Sequence, residues 1–210
     1  MTSTLALRWT LVWAILAAAL TAAPAQAVEE PAFRLELKQG DFEVRDYPGL
    51  VVAEVTVDGD QNTAANRGFR LLAGYIFGAN QAKRGIAMTA PVSQTKTGET
   101  IAMTAPVSQT QTGATWTVRF TMPHEWRLDT LPKPNDPRVH LHATPPMRVA
   151  VLKFSGRLNP EMAAARTTEL MAQVRARQLH PSGPVSLAQY DPPWILGFAR
   201  RNEVMVEIAP

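Results

Sequence analysis

The stretch VRDYPGLVVAEVTVDGD, residues 44–60, is answered in outline by LHATPPMRVAVLKFSGR, residues 141–157, at a constant offset of 97. Pro48 falls on Pro145, Val52 on Val149, Ala53 on Ala150 and Gly59 on Gly156, with no gap. Each copy reads as a strand, a proline-containing turn, a second strand of alternating apolar and polar residues, and a glycine. A helical pattern follows each. The pair reads as a duplicated unit, with repeats spanning about 42–122 and 139–208.

The spacing predicts a first helix over about Gln61 to Phe77. Asp60 is placed to cap it, its carboxylate accepting from the free amides of the first turn. Ala65, Phe69, Leu72 and Ile76 form one apolar face, and Gly78 is placed to end it. Gly68 and Gly74 each cost about 1 kcal/mol relative to alanine inside a helix, so each needs a reason. Close packing against a sheet is one; room for a flat ligand is the other. The second helix begins at Asn159, a cap, followed by Pro160 at the position where a missing amide costs nothing. Ala163, Thr167, Leu170 and Val174 line its face, which ends near Leu179.

Between the helices the chain says one thing twice. IAMTAPVSQTKTG, residues 86–98, and IAMTAPVSQTQTG, residues 101–113, differ only where Lys96 becomes Gln111. Ile86, Met88, Ala90 and Val92 alternate as in a strand, and the second copy reads as a similar strand of a meander. Pro91 and Pro106 cannot donate to a ladder, so each marks an edge, a bulge or a strand end. One copy reads as an insertion in a hairpin that needs a single one. Two further strands flank the Asp-Pro-Pro turn at 191–193, and each half becomes β-β-α-β-β. Antiparallel runs with one helix per half specify an α+β fold.

The N-terminus reads differently. Arg8 precedes an uncharged run, WTLVWAILAAALTAA, and Ala25 and Ala27 then give an A-x-A pattern. This is the layout of a secretory signal peptide, residues 1–27, cleaved after Ala27. The run is short for a span of about 20 residues, so no stable membrane insertion is expected after cleavage. The expected mature chain, residues 28–210, forms a single domain and is exported, to the periplasm on this reading. It contains no cysteine, which removes disulfides, thiolate metal sites and covalent c-type haem attachment. Its charge is only mildly positive, without a Lys/Arg block, so nucleic acid is not an expected partner.

Taken together, FEVRDYPG, GFRLLAGYIFGAN, IAMTAPV, LPKPNDPRV, RVAVLKFSG and YDPPWILGFARRNEV resemble the SOUL haem-binding protein family from about Phe42 to Ile208. The resemblance implies two helices on a curved, barrel-like antiparallel sheet, similar to bacterial effector-binding domains. It also implies non-covalent binding of haem or another tetrapyrrole, as a carrier or sequestering protein, and not an enzyme. An effector-type pocket for another apolar molecule, or an enzyme acting on a tetrapyrrole, are the alternatives.

A haem site needs an apolar slot, cations near the propionates and optionally an axial ligand. Phe69, Leu72 and Ile76 of the first helix, with Met88, are expected to wall the slot. Arg67 and Arg70 flank that helix and suit propionates. His124, His140 and His142 are candidate axial ligands, and a surface pair is the plainer reading of His140 and His142. The RRNEV segment reads as structural: Arg200, Arg201 and Glu203 pair, while Asn202 shapes the backbone. Glu54, Asp58 and Glu99 read as exposed strand and turn residues. No nucleophile elbow, P-loop, dinucleotide fingerprint or zincin motif is present.

Overall fold

A computed structural model describes residues 29–82, 85, 86, 90, 92–97, 115–191 and 195–210. The first unit runs β2 (Phe42–Tyr47), β3 (Val51–Asp58), α1 (Gln61–Ile76), β4 (Val92–Thr97) and β5 (Thr115–Thr121). The second runs β6 (His140–Ala143), β7 (Met147–Ser155), α2 (Pro160–Ala176), β8 (Pro181–Gln189) and β9 (Arg201–Ile208). Ahead of both lies β1 (Arg34–Gln39), a polar strand that turns back through Gly40 at φ 60°.

These strands form one antiparallel sheet in the order β1-β2-β7-β9-β8-β4-β5-β3-β6. Without β1 the order is palindromic: replacing each strand by its counterpart in the other unit returns the same sequence. The register repeats too. Val51 lies opposite Ala143, and Arg148, its counterpart, lies opposite Asp46. Each unit therefore lends its first strand to the other unit's edge, and β4 meets β8 at the centre.

Both helices start as their caps require. The Asp60 carboxylate accepts from the amides of Asn62 and Thr63, and the Asn159 side chain accepts from Met162 N. Gly78, at φ 109°, turns the chain away after α1. The buried stripe of α1 is Ala64, Gly68, Leu72, Ala73, Tyr75 and Ile76: Leu72 and Ile76 are buried as expected, while Ala64 and Gly68 take the places expected of Ala65 and Phe69. A Cβ on Gly68 would stand 2.5 Å from Val118 Cγ2, so the missing side chain is what lets α1 settle on β5. Phe69 is thereby turned to the helix edge, partly exposed, its ring 5.5 Å from that of Phe120.

The helices cover one face of the sheet. Ala53, Val55, Val57, Val118 and Phe120 pack under α1 with Leu72, Tyr75 and Ile76. Phe42, Ala150, Leu152, Val204 and Val206 pack under α2 with Leu170 and Val174. Each fully buried side chain of this size contributes about 1.5–3 kcal/mol. Of the strand expected to alternate from Ile86 to Val92, Ile86 and Ala90 lie outside any strand, residues 87–89 and 91 lie outside the described residues, and β4 runs from Val92 to Thr97. Pro91 has no amide to give a ladder, so pairing starts after it. Thr97 lies opposite Thr115, and the second copy of the repeated phrase, including Met103, lies outside the described residues, as do Met88 and Glu99.

Candidate functional site: a cavity on the face without helices

Alternation along the strands sends every second side chain to the other face, which neither α1 nor α2 covers. Tyr47 on β2 and Val52 on β3 lie six strands apart in the sheet order, yet they line one cavity, so the sheet is strongly curled. The cavity measures about 330 Å³, within the 300–1,000 Å³ range of small-molecule sites. Its walls are mostly apolar: Leu50, Val52, Met147, Val149, Pro184 and Met205. The polar lining comes from Glu54, Arg119, Thr117, Ser93, Ser186 and Glu207.

Glu54 therefore has a place that the sequence reading missed. It is half-buried on β3 and accepts from Arg119 Nη2 at 2.7 Å and Nε at 3.1 Å across the strand pair. His142 sits opposite Val52 in the ladder, with Nε2 3.8 Å from Glu54 Oε2. Arg119 supplies a fixed cation and His142 an imidazole at the cavity edge. Met147 and Met205 add soft thioethers to the wall.

Behind Tyr47 the same face closes over a buried ionic cluster. Arg45, fully buried, donates to Glu43 Oε2 at 2.8 and 2.6 Å, to both Glu203 oxygens at 2.9 Å and to the Tyr47 hydroxyl at 3.0 Å. Tyr190 donates to Glu203 at 2.6 Å, and Arg201 adds a bond at 3.0 Å while its guanidinium covers the Tyr190 ring. Lys153 and, at 3.6 Å, the exposed Lys38 also reach Glu43 Oε1. Burial alone raises the pKa of Glu43 and Glu203, but hydrogen bonds from Lys153 and Arg45 to the first, and from Arg45, Tyr190 and Arg201 to the second, hold both below the ordinary carboxylate value. Burial pushes the Tyr47 and Tyr190 phenols above theirs. Carboxylates, cations and neutral phenols satisfy one another here, which is the condition for keeping charge out of water.

A second cavity of about 300 Å³ adjoins the first and shares Pro31, Leu50 and Thr121 with it. His124 stands at its rim, largely exposed, with Nδ1 2.9 Å from Glu29 Oε1.

The residues expected to form a site on α1 lie elsewhere. Leu72 and Ile76 are buried between α1 and the sheet, on the face opposite the cavity. Arg67 and Arg70 are exposed on α1, beside the edge where Phe69 sits. Of the three histidines, His142 comes nearest to the larger cavity, His140 is exposed on the same strand, and His124 belongs to the second cavity. Among the described residues no group of three or more His, Asp or Glu side chains is placed to hold a metal ion, and no helix is long and apolar enough to cross a membrane.

A family model described as SOUL heme-binding protein matches residues 28–207. Heme-binding protein 2 of Mus musculus is 29% identical over 137 residues, and the chain spans 62% of that relative's length. The fold is similar to the crystal structure of the EcmrR C-terminal domain, with a TM-score of 0.59 at 10% identity, covering 84% of this chain and 98% of that one. It is also similar to an uncharacterized conserved protein from Listeria innocua, with a TM-score of 0.59 at 10% identity over 80% and 92% of the two chains. At such identities the structural likeness concerns the fold alone.

Proposed function

The chain belongs to the SOUL haem-binding protein family, and from that premise we propose that it binds haem or a related tetrapyrrole non-covalently in the curled face of its sheet. The observation that carries this reading is the open, mainly apolar cavity between Val52, Val149, Met147 and Met205, with Arg119 at its edge. Flat apolar surface suits the macrocycle, and most of the affinity comes from removing that surface from water. Arg119, already engaged by Glu54, orients an acidic edge by sharing its fork. His142, beside Glu54, and the lining methionines Met147 and Met205 are the groups we assign to meet an iron, and the protein's role is to hold and release the ligand, as a carrier or sequestering protein. Export through cleavage after Ala27, with release into the periplasm, belongs to the same proposal, as does descent of the two units from one duplicated ancestor.

The sequence-derived site is kept as a second reading because Phe69 is exposed beside Arg67 and Arg70 on α1. A hemin titration of residues 28–210, with iron-free protoporphyrin alongside, separates the two. Val52→Trp fills the cavity; Phe69→Ala strips the helix edge. Saturable one-to-one binding with a shifted Soret band, lost in Val52→Trp and kept in Phe69→Ala, is expected. The reverse pattern moves the site to α1. A broad, non-saturating response in the unaltered protein ends the tetrapyrrole reading.

A further inference from the structure

We propose that Pro31 lies as a strap between two chambers of one larger cleft, held there by Glu29 and Glu30 on the side of the second chamber, and that its release admits ligands too large for either chamber. The inference rests on the cavity being the ligand site. The two cavities, about 330 and 300 Å³, meet along Pro31, Leu50 and Thr121. Leu50 and its neighbours are fixed: the Thr144 amide donates to Leu50 O at 2.8 Å, Leu50 N donates to Thr144 Oγ1 at 3.0 Å, and Met122 N donates to Val51 O at 2.8 Å. Thr121 ends β5 inside the sheet. Pro31 is different, because it belongs to no strand and has no amide with which to join one.

The strap is latched at its two acidic residues. Glu29 Oε1 accepts from the His124 amide at 2.8 Å and lies 2.9 Å from His124 Nδ1, while Glu29 O accepts from Ala90 N at 2.9 Å. Glu30 pairs with Arg201 Nη1 at 3.0 and 3.2 Å. The ionic partners are partly or largely exposed, a setting in which ion pairs hold weakly and local opening comes readily. Lifting Pro31 widens the passage past Leu50 and Thr121 and joins the chambers into a groove of roughly twice the volume of either. The walls stay in place, since they are strands. Ligand size is thus selected by the strap and ligand chemistry by the walls.

The test uses two dyes of one chemistry and different size, 1-anilinonaphthalene-8-sulfonate and its covalent dimer, mixed in stopped flow with residues 28–210 and with the Glu29→Gln, Glu30→Gln double variant. The dimer is expected to associate about fivefold faster with the variant, and the single dye within about twofold of its original rate. Hydrogen exchange at the Ala90 and His124 amides should quicken in the variant, which reports the latch opening. Equal rates for the dimer in both proteins, equal acceleration of both dyes, absence of dimer binding to the variant, or unchanged exchange at both amides each overturn the strap. Hemin run in parallel keeps the readings apart: if hemin fails to bind either protein the tetrapyrrole reading falls, while the dye pair still judges the strap.

Discussion

One sheet carries two faces that obey different rules. The face under α1 and α2 is filled by aliphatic and aromatic side chains, and its shape is set by contact: Gly68 has no side chain because Val118 stands where one would be. The opposite face carries Glu43, Arg45, Lys153, Arg201 and Glu203, sealed at one end by tyrosines and left open at the other as a cavity. The second face packs as well, through Tyr47, Val149, Val151, Ala188 and Met205, but it sets a satisfied ionic cluster beside them where the first face has apolar contact alone.

The comparison is broken most severely at Arg45. Arg45→Ala leaves Glu43 and Glu203 buried without their shared cation, and is expected to cost about 3–5 kcal/mol in denaturant unfolding. Next comes the packed face: Gly68→Ala drives a Cβ into Val118 and should cost about 1–3 kcal/mol, with α1 displaced from β5. Asp60→Ala removes the cap of α1 and should cost about 1 kcal/mol. Val52→Trp, at a buried position in the cavity wall, should abolish ligand binding at a stability cost of the same order as Gly68→Ala, read by the same denaturant unfolding.

pH sharpens the contrast in both directions. Glu43 and Glu203 have folded-state pKa values below the ordinary 4.5, so the stability they contribute is present above that value and is lost as pH falls below it. Tyr75, which donates to Pro132 O beneath α1, is pushed up to about 12 by burial. It stays neutral when the unfolded chain ionises, so the fold weakens as pH rises from about 10 toward 12. Acid unfolding followed in Glu203→Gln should begin from a less stable protein and show a shallower pH slope; alkaline unfolding in Tyr75→Phe should show the same flattening at the other end.

Much of the fold was legible because local chemistry and global arrangement agree. Asp60, Asn159 and Pro160 announce helix starts that the structure keeps, and the offset between Val52 and Val149 corresponds to matched positions in the strand register. The site was less legible. Alternation in VVAEVTVD gives two faces but does not say which one receives a helix, so Glu54 read as an exposed strand residue although it is half-buried against Arg119. Pairing between Glu54 and Arg119 depends on strands 65 residues apart in the chain meeting in register. One signal was available: Glu43, Arg45 and Tyr47 alternate with the apolar Phe42 and Val44 on β2, which places three polar groups together on one side. Arg201 and Glu203 repeat that pattern on β9.

The exchange of edge strands has a bearing on how the chain comes to be folded. Phe42 waits for Leu152, and Val52 for His142, so the first unit contains no complete edge until the second has been synthesised. Edge pairings of such high sequence separation close late, after the loop entropy of most of the chain has been spent, so the sheet is completed by its most distant contacts and the two halves stand or fall together.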